Sequence, residues 1–443
     1  MHNSKRRDFL KLMAAGFSAT SMSGWFPLLA SQNQDRIEKP KSCILLWMPG
    51  GPSQLDTFDP KPDHENGGEF KAIQTSVPGI HIGEHLPQVA QLMDKMAIIR
   101  SMKTKEGDHG RASYHLRTGY RPAGPIQYPT LGSLIANEYE TNRAGVPNYV
   151  SVLSNNFLNP AAFGPGFLGP QQAPLMVGGN NPGGDQPEYG APLEVSNIRL
   201  RETVSEEQAK SRIELLKFVE NRFTENRPGL PTESHRSAYD QAVKMMNSSA
   251  MSAFNLEEEP AEIRGAYGKN RFGQGCLLAR RLVERGVPFV EVALGGPNGE
   301  NQIGWDTHQE NFDAVQALCE TLDPAWAMLM KDLSDRGLLE TTTIVWMGEF
   351  GRTPVINEQT GRDHFPNAWS TVLAGGGIKG GQVYGATNDS GMEIADTPVA
   401  VNQLTATIMG AMGIDHTNQN MSPVGRPIRL AEPEVEPIAE LLV

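Results

Sequence analysis

Short unbroken apolar runs alternate along the chain with stretches whose apolar positions recur every three or four residues. This rhythm predicts strands alternating with amphipathic helices around a largely parallel sheet. Residues 43–48 read as a buried strand running into the breaker Pro49-Gly50-Gly51-Pro52, and a helix over about 86–95 precedes a second strand at 97–102. A helix from about 275 to 285 stops at Gly286 and leads into a strand over 289–294. Phe312, Val315, Leu318 and Leu322 predict a further helix continuing towards Gly337, which feeds a strand over 342–347; a short strand at 370–374 follows. Ser205-Glu206-Glu207-Gln208 forms a capping box before a helix with Leu216, Val219 and Phe223 on its apolar face. Over residues 154–192, 15 of 39 are Gly or Pro, which predicts an irregular loop rather than an element.

The first thirty residues stand apart from this pattern. Lys5-Arg6-Arg7-Asp8-Phe9-Leu10-Lys11 resembles the twin-arginine export signature, and a mildly apolar stretch rich in Ala, Gly and Ser follows. The expectation is a signal peptide over 1–30, a periplasmic or extracellular mature chain, and one large domain over 40–443 with a loop-rich and helical insertion at about 154–260. No other segment approaches the roughly 18 apolar residues of a membrane helix. A formal net charge of −12, which would become about −15 after cleavage, argues against nucleic acid as a partner. Cys43, Cys276 and Cys319 have no zinc-finger spacing, so a metal would need His and carboxylate ligands.

In an open α/β sheet, loops leaving the carboxyl ends of parallel strands converge on one crevice. Asp306 and His308 leave one strand this way, Glu349 another, and Asp108 with His109 a third; His364 follows in the next loop. Asp306, His308, Glu349 and His364 are therefore the candidate ligands of one divalent ion, with Asp363 able to replace or support His364. Zn²⁺, Mn²⁺ and Ca²⁺ all stay open as its identity. His109 is the candidate general base or nucleophile, and Arg111 and Arg352 are candidate clamps for a sulfate or phosphate oxyanion. Trp47, Trp305, Trp346 and Trp369 lie beside strand ends, either as packing or as faces for a sugar.

Thr118-Gly119-Tyr120-Arg121-Pro122, which closes the segment beginning at Asp108, is similar to the end of the nucleophile segment of sulfatases. With Gly50 to Asp56, Trp305 to His308, Gly348 to Pro354 and Gly361 to Pro366, the chain resembles the family called domain of unknown function 1501. The resemblance implies an alkaline phosphatase-like fold, with a mostly parallel central sheet between helical layers, and metal-dependent hydrolysis of sulfate or phosphate esters, including esters on carbohydrate. Departures accompany it. The nucleophile position falls near His109, no cysteine has the surroundings a formylglycine sulfatase needs, and the superfamily's Asp-His pair appears as Glu349-Phe350. The first strand lacks its usual immediate Asp, which leaves Asp56 or Asp59 as substitutes. A non-catalytic protein that binds a metal or ligand on the same fold is the alternative.

Overall fold

Nine strands form the central sheet of the computed structural model, numbered here in chain order. They are β1 (Ser42–Trp47), β2 (Met96–Lys103), β3 (Tyr149–Val152), β4 (Leu175–Val177), β5 (Phe289–Ala293), β6 (Thr342–Met347), β7 (Trp369–Gly375), β8 (Gln382–Tyr384) and β9 (Val399–Ala400). The sheet order is β8-β2-β7-β6-β1-β5-β3-β4, with β9 also paired to β2. Only β7 runs antiparallel, to both β2 and β6; β1 lies parallel between β5 and β6. The fold is therefore a mixed α/β architecture with a large, mostly parallel sheet. The structure describes residues 42–139, 145–178 except 155 and 157, 193, 195, 203–225, 243, 245, 249–298 and 302–443. Residues 41–443 form one compact unit, and the expected export signal lies outside the described residues.

Both faces of the sheet are covered, which is why its central strands are unbroken apolar runs rather than alternating ones. Along β1, Ile44 and Leu46 join one core with Phe272, Cys276 and Leu277 of α4 (Arg271–Glu284) and Val315, Leu322 and Trp326 of α5 (Asn311–Asp335). Cys43, Leu45 and Trp47 face the other way. They pack with Leu116 of α1 (His109–Thr118), Leu134 and Ile135 of α2 (Leu131–Glu138), and Leu404 and Ile408 of α6 (Val401–Ala411). Each such aliphatic side chain contributes about 1.5–3 kcal/mol on burial.

The expected helix over 86–95 is instead a short helix, Pro87–Ala90, followed by a 3-10 turn, Met93–Lys95. Within 154–192 the described residues carry β4 and three 3-10 turns, because three residues suffice to hydrogen-bond alongside β3 at a sheet edge. The capping box is formed at α3 (Glu206–Glu225): Gln208 N–H donates to Ser205 Oγ at 3.2 Å and Ser205 N–H to Gln208 Oε1 at 3.1 Å. Val219, expected on a buried face, is exposed together with Leu215 and Phe218. Leu216 is half-buried, and the side chain of Phe223 lies outside those described.

Candidate metal centre

Three loops leaving the carboxyl ends of β2, β5 and β6 supply one cluster. Gly50 and Gly51 make the tight exit from β1 that lets these loops meet. Gly50 has φ +113°, and a Cβ there would lie 2.4 Å from Asp306 N. Its own N–H donates to Glu349 Oε1 at 2.8 Å. Beyond β2, Asp108 caps α1 by accepting from Arg111 N–H at 3.0 Å, which sets His109 at the first helical position. Trp305 is anchored by donating from Nε1 to Leu294 O at 3.0 Å, so the next residue, Asp306, turns into the cluster. His364 comes from a two-strand hairpin in which it pairs with Arg352.

Asp306 Oδ1 is the hub. It lies 3.2 Å from His109 Nε2, 3.1 Å from His308 Nε2 and 3.2 Å from His364 Nε2. His308 Nε2 and His364 Nε2 are 3.1 Å apart. Ligand atoms of His109, Asp306 and His364 all lie within 4.8 Å of one another. Each imidazole has its other nitrogen against an acceptor: His109 Nδ1 is 2.7 Å from Glu349 Oε1, His308 Nδ1 is 2.7 Å from Asp363 Oδ1, and His364 Nδ1 is 2.8 Å from Gly107 O. An acceptor at Nδ1 fixes the orientation of each ring and turns its Nε2 towards Asp306. His109 Nε2 is buried and, despite its closeness to Asp306, makes no aligned hydrogen bond. Three converging Nε2 atoms and one carboxylate oxygen, with an orphaned nitrogen among them, fit a borderline divalent cation.

Burial pulls the His109 pKa down, but the close approach of the Asp306 carboxylate, the hydrogen bond to Glu349 and the charges on both carboxylates outweigh it and push the pKa up to about 9. Burial also raises that of Asp306, yet the close approach of His109, the contact with His364 and the charge of Arg352 hold it far below the usual carboxylate range. Phe350 packs its ring 4.9 Å from that of His109 and 4.6 Å from that of His364, so it fills the space where the resemblance leads one to expect another histidine.

Among the sequence-derived candidates, Asp306, His308 and His364 come together, and His109 joins them rather than standing opposite. Glu349 touches His109, and Asp363 touches His308. Asp56 is elsewhere: it is fully buried in a two-pronged ion pair with Arg362, at 2.8 and 3.1 Å, and accepts from Asn311 Nδ2 at 2.8 Å. Asp59 accepts from Thr387 Oγ1 and from Lys61. Arg111 is bound to Glu106 at 2.7 and 3.0 Å. The guanidinium of Arg352 is buried, with Nη2 2.6 Å from Asp306 Oδ1, Nε donating to Gly51 O at 3.0 Å and a further bond to Gly50 O. The Arg352 guanidinium is thus enclosed by its partners, whereas the Arg111 side chain is 53% exposed at its pair with Glu106. Trp47, Trp305, Trp346 and Trp369 are all buried, which makes them packing rather than sugar platforms.

Two features escaped the sequence reading. Arg362 ties the two ligand-bearing loops together through its N–H donating to Thr307 O at 2.9 Å, and its pair with Asp56 anchors them to the segment that follows β1. On the other face of the sheet, Arg117 of α1 pairs with Glu291 of β5. Glu291 also accepts from Tyr149 OH at 2.9 Å and from Ser154 Oγ at 2.5 Å.

A family model described as "Protein of unknown function (DUF1501)" matches residues 40–442. No curated protein sequence matches the chain. Among solved structures it is similar to Ps i-CgsB, with 11% identity and a TM-score of 0.41 over 85% of this chain and 73% of the other. It is also similar to the phosphonate monoester hydrolase SpPMH from Silicibacter pomeroyi, with 11% identity and a TM-score of 0.37 over 85% and 73%. A third is a protein in the alkaline phosphatase superfamily from Vibrio parahaemolyticus, with 12% identity and a TM-score of 0.36 over 85% and 67%.

Proposed function

The chain belongs to the DUF1501 family, and on that premise we propose that it is a metal-dependent hydrolase of sulfate or phosphate esters whose ion is held by His109, Asp306, His308 and His364. The single observation that carries this reading is the convergence of three imidazole Nε2 atoms on Asp306 Oδ1, each imidazole held through Nδ1 by an acceptor. Three nitrogen donors and one oxygen donor favour Zn²⁺ over Ca²⁺, which prefers six to eight oxygens. When bound, such an ion polarises an ester oxygen and lowers the pKa of water. The protein's own residues do the rest. His109, His308 and His364 would offer their Nε2 atoms, His109 after giving up the proton that its raised pKa keeps on it in the metal-free fold, while Asp306 supplies the negative charge and Arg352 holds that carboxylate in place. Phe350 packs its buried ring against those of His109 and His364. The ester class is supported by the sulfatase-like segment from Asp108 to Pro122, whose first residues open onto the cluster.

A second reading, a metal-binding protein without catalysis, is favoured by one observation. Among the described residues, no serine, threonine or cysteine hydroxyl or thiol joins the cluster, and all three cysteines are buried with burial pushing their pKa values up. The test is a screen of the zinc-loaded protein on aryl sulfate, phosphate monoester, phosphodiester and phosphonate ester substrates. Turnover that disappears on chelation and returns with zinc supports the hydrolase; zinc bound stoichiometrically with no turnover supports the second reading. Export by the twin-arginine route is part of the proposal, and replacing Arg6 and Arg7 by Lys should retain the precursor in the cytoplasm. Among the described residues, no helix is long and apolar enough to cross a membrane. A small or partly neutral ester suits the acidic chain better than a dense polyanion.

A further inference from the structure

We propose that Glu349, a carboxylate at a strand end that the sequence alone would make a ligand, is instead the positioning residue for His109. This inference rests on the metal reading above and refines it. Glu349 is 1% exposed and lies two residues past the end of β6, in the bend that leaves the sheet. Its Oε1 is committed twice: it accepts from Gly50 N–H at 2.8 Å and lies 2.7 Å from His109 Nδ1. The first bond fixes the carboxylate on the exit from β1, and the second fixes the plane and tautomer of the imidazole. Phe350, the next residue, packs against the same ring at 4.9 Å between centroids.

The geometry separates Glu349 from the cluster by one ring. It touches His109 at Nδ1, whereas Asp306, His308 and His364 gather around Nε2. Asp363 stands in the same relation to His308, but there the carboxylate is exposed and shares an oxygen with Asn357 only at 3.5 Å. A buried carboxylate anchored by a backbone N–H is the firmer of the two orienting partners. Loss of such an outer partner commonly lowers metal affinity 10–100-fold while the ligands themselves remain.

The test is a cycle of four proteins, wild type, Glu349→Gln, His109→Ala and the double variant, titrated with zinc against a chromophoric chelator, with thermal unfolding of each metal-free form. The expected result is a 10–100-fold loss of zinc affinity in Glu349→Gln and a larger loss in His109→Ala. Glu349→Gln should then have less than a twofold further effect in the His109→Ala background. Additive losses would make Glu349 an independent ligand and overturn the proposal, as would wild-type affinity in Glu349→Gln. Should Glu349→Gln fail to fold, Glu349→Asp, which keeps the charge and withdraws it by one methylene, is expected to lose affinity only when His109 is present. A wild-type protein that binds no zinc would defeat the metal reading itself, a result distinct from any difference among the variants. Cobalt(II) substitution gives a second readout. Saturated Glu349→Gln should keep the wild-type visible spectrum, because the ligand count is unchanged, and a changed coordination number would contradict the positioning role.

Discussion

The Nε2 atoms of His308 and His364 face each other at 3.1 Å, while the Nδ1 of each is engaged by an acceptor, Asp363 for one and Gly107 for the other. Two imidazole nitrogens this close to each other and to Asp306 Oδ1 are placed where one cation could draw on both. The relationship predicts that His308→Ala and His364→Ala each lower zinc affinity by more than the 10–100-fold typical of an outer partner. Any ester hydrolysis should fall in parallel. Calorimetric titration checks it, and a variant that binds zinc like the wild type would remove that histidine from the ligand set.

His109 sets a pH dependence. Its pKa rises from the ordinary 6.5 to about 9 in the metal-free fold. A raised folded-state pKa contributes stability that is fully present below about pH 6.5 and is lost as pH rises through about 9. The thermal midpoint of the metal-free protein should therefore decline across that window, and His109→Gln should flatten the decline. Zinc must displace the Nε2 proton, so binding near pH 7.5 should release about one proton, measurable by titration in weakly buffered solution.

Gly50 carries two constraints at once, a positive φ and the contact with the Asp306 backbone. Gly50→Ala should disturb the cluster more than the general stability, because the added methyl group presses on the loop that presents Asp306. The expected outcome is zinc affinity lowered at least tenfold with most of the unfolding midpoint retained. Unchanged affinity would mean that the loop yields without cost.

Glu291 lies at the middle of β5 and is fully buried with Arg117. Glu291→Gln leaves the guanidinium without its countercharge, and breaking a buried pair from one side costs about 3–5 kcal/mol. Urea unfolding followed by circular dichroism measures this. A loss below about 1 kcal/mol would show that Tyr149 and the carbonyl of Ala162 suffice for Arg117.

The strands nearest the centre were legible because a sheet buried on both faces writes itself as an uninterrupted apolar run, as at β1 and β6. The edge strands β4 and β8 were not, since three residues among glycines and prolines carry no period. In the site, the sequence identified which residues lie just beyond strand ends but not which way each side chain turns. Glu349 and His109 thus appear with ligand and base roles that the geometry rearranges. The carbonyl of Gly107 could not be foreseen at all, because a backbone acceptor leaves no mark on residue type. Glu291 was a missed signal: a carboxylate inside Phe289-Val290-Glu291-Val292 requires a buried partner wherever both faces of the strand are covered.

The most direct test of the central claim is X-ray absorption at the zinc edge on the purified, zinc-equilibrated protein, with metal content measured on the same sample. The account predicts one zinc per chain, nitrogen and oxygen neighbours at roughly 2.0–2.1 Å, and the outer-shell scattering of three imidazoles. Substoichiometric zinc, a sulfur neighbour, or scattering from fewer than two imidazoles would contradict it.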